Sequence, residues 1–167
     1  MELYVWLFPV LFIFHDMEEI VGFIPWYHKN QRMLEQKYPR ISKTYKNTST
    51  EGFAFAVYEE LIFCIIICII SLLKNQYGIW LGVLVACTLH FIIHIIQAII
   101  IKRYIPALIT SIIGVFVGLF LIYRSMEILN YRIYFVVIYG AIGIICMLIN
   151  LKFAHILMKK FTIWQLK

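Results

Sequence analysis

The sequence predicts an all-α, polytopic membrane bundle of about five transmembrane helices, and three observations lead there. Apolar residues fill 63% of the 167 positions and charged residues only 14%. Together with a mean hydropathy of +0.87, this lies far outside the composition of soluble globular domains. The apolar residues are gathered into runs of roughly 18 to 24 separated by short charged connectors, the length an α-helix needs to cross a hydrocarbon core. Within the runs apolar and polar residues do not alternate, which excludes a transmembrane β-barrel.

The expected spans are 3–26, 53–73, 78–101, 105–123 and 133–151, in a single membrane domain covering 1–167. The first has no basic leader and no small-residue cleavage site, and it ends in acids, so it is expected to stay in the mature protein rather than be removed as a signal peptide. Residues 27–52 are polar and basic and predict a cytoplasmic loop containing a short interfacial helix. The tail 152–167 mixes lysines with Phe153, Ile156, Leu157 and Trp164, a pattern expected to lie along the membrane surface.

Sidedness follows from the basic residues, which short cytoplasmic loops retain. Five spans put twelve Lys and Arg on one side (the first loop, Lys102–Arg103 and the tail) and only Lys74, Arg124 and Arg132 on the other. The N-terminus is therefore expected outside and the C-terminus in the cytoplasm. The net charge of +6 is accounted for by loops facing anionic headgroups, with no nucleic acid partner. Cys64, Cys68, Cys87 and Cys146 fall within spans and read as small apolar residues without a disulfide framework. Gly114 and Gly118 form a G-x-x-x-G face expected to pack against another helix, in this chain or in a homodimer.

The ionisable residues inside the spans carry the functional signal. The first span holds His15, Asp16, Glu18 and Glu19, the second Glu59 and Glu60, the third His90, His94 and Gln97. A carboxylate near a bilayer centre costs about 2.5 to 3.5 kcal/mol, so four unpaired glutamates would cost on the order of 10 kcal/mol. They are expected to be protonated, paired, hydrated or bound to a cation. At helical spacing His15, Glu18 and Glu19 share one face, as do His90, His94 and Gln97, whereas Glu59 and Glu60 diverge and only one is expected in the site. At about 1.5 Å per residue, Glu18, Glu19, Glu59 and His94 fall on the order of 10 Å from the cytoplasmic boundary, with His15 and His90 about 16 Å deep. Three helices thus bring their polar residues to one level.

Histidines and carboxylates in that number are a ligand set for Zn or Fe, as one ion or two. The expected ligands are His15, Glu18, Glu19, Glu59, His90 and His94, with Glu18 or Glu19 as general base. The sequence lacks H-E-x-x-H, which disfavours a standard zinc protease. The motif H-D-M-E-E, followed by an intramembrane Glu and then H-x-x-x-H, resembles the HXXEE domain family of bacterial membrane proteins over His15 to about Pro106. The resemblance implies a metal-dependent enzyme and marks the same six residues. It also identifies Arg103–Ala107 as the basic, Pro-containing turn after the His helix, with Ala107 where a glycine is expected.

A site at that depth favours membrane lipids or prenyl-type substrates, and a hydrolase or an oxidoreductase fits the ligands equally. Lys102 and Arg103 are expected to hold the substrate headgroup. Two alternatives stand beside this: a metal-free acid/base isomerase or cyclase of lipids, and a proton- or cation-coupled transporter.

Overall fold

A computed structural model describes residues 1–166. Its regular structure is entirely helical among these residues: α1 (Glu2–Lys37), α2 (Pro39–Tyr45), α3 (Thr50–Lys74), α4 (Gly78–Ile101), α5 (Leu108–Leu129) and α6 (Ile133–Gln165). The expected helical bundle is the fold. Helices α3, α4, α5 and α6 are each long and apolar enough to cross a membrane, as expected of a membrane protein. α1 is the longest helix, at 36 residues, but its cluster of acids sets it apart from those four in composition. Two of these acids, Asp16 and Glu19, are buried.

Two helices run further than expected. α1 continues past Pro25 to Lys37, and α2 then packs back on it, with the Tyr27 hydroxyl 3.0 Å from Ser42 Oγ. The segment 152–165 continues α6 as a helix. Ala154, Met158 and Thr162 recur every four residues and are buried, forming one stripe against the start of α3. Thr162 Oγ1 lies 3.3 Å from Ser49 Oγ, and Ser49 caps α3 by accepting from the Gly52 N–H at 2.9 Å.

α4 is the axis of the bundle. Trp80, Leu81, Leu84 and Phe91 on it are fully buried, and its neighbours come close because small residues line the crossings. Gly82 faces Gly143 and the backbone of Tyr139 on α6, so a side chain at either glycine would collide with main chain. Gly114 and Gly118 of α5 lie against Phe91 and Thr88 of α4. Both glycines are buried, and this G-x-x-x-G face packs against α4 within the chain.

Two apolar clusters fill the interior. One gathers Val5, Phe8, Leu11, Cys64, Cys68 and the buried face of α4. The other gathers Phe23, Ile24, Phe53, Val57, Ala154 and Met158. Along α1 the segment between Leu11 and Phe23 carries His15, Asp16 and Glu19, and along α3 Glu60 falls between Val57 and Cys64. The polar residues thus occupy the level between two apolar cores.

Candidate metal centre

His15 and Glu19 are one helical turn apart on α1, and His90 and His94 one turn apart on α4, so each pair projects from one face. His15, Glu19, His90 and His94 each offer a ligand atom, all within 4.8 Å of one another. His94 Nε2 lies 2.9 Å from His90 Nε2 and 3.2 Å from Glu19 Oε1. The His15 ring packs against those of His90 and His94, with centroids 5.5 and 5.1 Å away.

A divalent cation fits these donors. Ligand bonds of about 2.0 to 2.1 Å in a tetrahedron set neighbouring donor atoms about 3.3 Å apart; the two separations from His94 Nε2, 2.9 and 3.2 Å, are close to that, and all four donors lie within 4.8 Å. The buried His15 Nε2 has no hydrogen-bond partner, as a nitrogen does when its lone pair is reserved for an ion.

Glu18 is held elsewhere. Its Oε2 accepts the backbone N–H of Thr110 at 2.9 Å and the Thr110 hydroxyl at 2.7 Å, while its Oε1 accepts from the Tyr104 hydroxyl. Thr110 sits in the first turn of α5, whose N-cap residue, Ala107, provides no side-chain cap. Glu18 therefore caps α5 from another helix, where free N–H groups and the helix dipole favour an anion. That bond raises the pKa of Tyr104 to about 12, keeping its hydroxyl a donor. Glu18, expected as a ligand or a base, thus lies outside the four-residue group. Residues 18 and 19 diverge by about 100° on a helix, and the N-terminus of α5 captures the first.

The same contact orients His15. Its Nδ1 lies 3.1 Å from Thr110 Oγ1. A threonine hydroxyl has one proton, and with that proton donated to Glu18, His15 Nδ1–H must be the donor to Oγ1. The remaining Nε2 then presents its lone pair to the cluster, the arrangement by which an outer partner fixes the tautomer of a metal-binding histidine.

The cluster opens on a cavity of about 440 Å³ lined largely by apolar side chains. Asp16, Glu60 and Gln97 line it beside Glu19, His90 and His94. Glu60, not Glu59, faces this space. Glu59 sits on the flank of α3, where Asn150 Nδ2 donates to it at 3.4 Å, apart from the four clustered residues.

α2 closes one end of the cavity with Arg40, Ile41, Thr44 and Tyr45. Burial, together with the carboxylates of Glu19 and Glu60, raises the pKa of the Tyr45 phenol, so it too remains a donor. His155 also lines the cavity, edge-on to Tyr45 with centroids 5.9 Å apart. Lys102 and Arg103 do not line the cavity. Arg103 Nη1 donates to Asn30 Oδ1 at 2.8 Å, leaving Arg40 as the basic residue at this wall.

Sequence reasoning passed over Thr110, Asp16, Arg40, Tyr45 and His155. Asp16 alone carried a signal, as an acid one residue from His15 in an apolar run.

Fold and site together define a helical bundle of membrane-spanning length with a buried histidine–carboxylate cluster. A family model described as a protein of unknown function with HXXEE motif matches residues 6–123, and the chain belongs to that family. His15, Glu18 and Glu19 are the H, E and E of the motif. No curated protein and no solved structure matches the chain.

Proposed function

We propose that this protein is an intramembrane metal-dependent enzyme, a hydrolase or oxidoreductase acting on a lipid or prenyl-type substrate. The observation that carries the reading is the convergence of His15, Glu19, His90 and His94 within 4.8 Å, with Glu19, His90 and His94 on the wall of a largely apolar cavity. Buried polar groups ordinarily find partners, and here the unpartnered nitrogen of His15 faces other ligand atoms.

A divalent ion in this cluster supplies Lewis acidity and lowers the pKa of a bound water. The chain supplies the rest. His15 and Glu19 from α1 and His90 and His94 from α4 hold the ion, and the Glu18–Thr110 pair fixes the His15 ring. Phe8, Phe12 and Phe63 along the cavity suit an acyl or isoprenoid chain, and the guanidinium of Arg40 suits an anionic headgroup. In this reading the N-terminus is outside and the C-terminus cytoplasmic, which puts α2 and Arg40 on the cytoplasmic side.

Two measurements on detergent-purified protein test the proposal. Elemental analysis should find at least one equivalent of Zn or Fe. Incubation with a polar lipid extract should give a mass-spectrometric product that is lost with a chelator and with His90→Ala/His94→Ala. Metal below about a tenth of an equivalent, or turnover indifferent to both treatments, contradicts it.

A further inference from the structure

The cavity beside the cluster is long, and its chemistry changes along the helices. On α4 its lining runs from Val83 to Ile101, with His90 and His94 between them. At about 1.5 Å per residue, Val83 lies about 10 Å along the helix from His90, and Ile101 about 10 Å from His94 in the other direction. α1 repeats the spacing. Phe12 and Trp26 both line the cavity, and each stands about 10 Å along the helix from Glu19. The cluster therefore faces the middle of the space, not an end.

The two ends differ. Toward Val83 the walls are Phe8, Phe12, Phe63, Cys64 and Cys87. Phe8, Cys64, Val83 and Cys87 are buried, so this end is blind and apolar. The opposite end lies at α2. The Tyr27 hydroxyl bonds Ser42 and Trp26 Nε1 donates to the Tyr104 carbonyl at 2.8 Å, which sets α2 level with the C-terminal end of α4. Arg40 is exposed there, lines the cavity and forms no ion pair among the described residues.

Each zone asks for a different part of a ligand. The blind end is filled favourably by hydrocarbon, and an unpaired guanidinium at the mouth binds an anion through parallel hydrogen bonds. The middle, lined by Glu19, Glu60, His90, His94 and Gln97, calls for polar atoms, because a bare alkyl chain there would leave buried donors and acceptors unpaired. A volume of about 440 Å³ drawn out over about 27 Å of α4 is a narrow passage, with room for one chain rather than two. We infer that the cavity takes a single-chain amphiphile end-on, with an anionic head at Arg40, a polar linkage at the cluster and an apolar chain whose length Phe8 and Val83 limit. A single acyl chain esterified to glycerol phosphate has its parts in that order. The inference deepens the proposed function and rests on it for what the cluster does at the linkage.

The test is photolabelling of the full-length protein in detergent with two acyl glycerol phosphates, one carrying a diazirine at the end of the chain and the other beside the ester. Mass spectrometry should find the first probe on peptides around Val83 or Phe63 and the second around His94 or Gln97. Arg40→Gln should weaken both labels roughly tenfold or more. A monoacylglycerol lacks the phosphate, a fatty acid lacks the linkage, and a diacyl glycerol phosphate has a second chain; each should compete roughly tenfold less well than the unlabelled probe. Val83→Phe should shift the preference to shorter chains; if that variant is not monodisperse, the label positions in the wild type decide by themselves. Both probes labelling the same residues, or only lipid-facing ones such as Phe116, overturns the inference, as does equal competition by any of the three. Labelling needs neither turnover nor metal. The expected pattern on protein that binds no metal leaves this binding mode standing and overturns the metal reading, whereas a displaced pattern on metal-loaded protein does the reverse.

Discussion

The two faces of α1 carry adjacent glutamates and treat them in opposite ways. On the α5 side, Glu18 accepts hydrogen bonds from the Thr110 backbone, the Thr110 hydroxyl and Tyr104. On the cavity side, Glu19 meets only His94, in the company of an unpartnered Asp16 oxygen and an unpartnered His15 nitrogen. Polar groups that complete their bonds within the chain hold a fold together; those left incomplete on the cavity side are the ones the proposed function gives to a cation. In the proposed function the motif thus divides into a ligand pair, His15 and Glu19, and a positioning residue, Glu18, that acts through Thr110.

Substitutions can break that contrast, and the largest effect belongs to the cavity face. His90→Ala/His94→Ala removes two of the four proposed ligands and should lower bound metal at least tenfold with the fold retained, measured by elemental analysis and circular dichroism. Glu18→Ala should act on stability instead. It strips the α5 cap and several charge-assisted bonds, a loss of about 2 to 3 kcal/mol measurable as a lower unfolding midpoint in detergent.

Thr110→Val should join the two faces. Without its hydroxyl His15 loses the partner that fixes its tautomer, so metal affinity should fall roughly 10- to 100-fold, read by competition with a chelator, while stability falls by only about 1 kcal/mol. The smallest effect lies just upstream. Ala107 is buried with φ 81°, in the left-handed region, at a cost of roughly 1 to 2 kcal/mol for an L-residue. Ala107→Gly should therefore raise the unfolding midpoint by up to about 1 kcal/mol equivalent and leave metal binding unchanged.

Much of the architecture was legible because apolar periodicity and length are local properties. The expected span 78–101 coincides with α4, and His90, His94 and Gln97 share the face the spacing assigned to them. The extents of α1 and α6 were not legible, because what extends α6 is a partner stripe on α3 that sequence does not align with it. Glu60 rather than Glu59 faces the cavity because of how α3 is rotated in the bundle, a matter of tertiary packing. Glu18 left the site for a similar reason. The uncapped start of α5 lies against α1 in space but 92 residues away along the chain. Ala107 occupies the position where a glycine was expected and adopts the backbone a glycine would, so the turn keeps its shape at an energetic cost.

The division of labour between the neighbouring glutamates is best tested by purifying Glu18→Gln and Glu19→Gln side by side and measuring both metal stoichiometry and unfolding midpoint. Glu19→Gln should lose bound metal while its metal-free form unfolds near the wild-type midpoint, and Glu18→Gln should keep most of its metal while unfolding earlier. Equal metal loss in both, or loss in Glu18→Gln alone, would contradict the account.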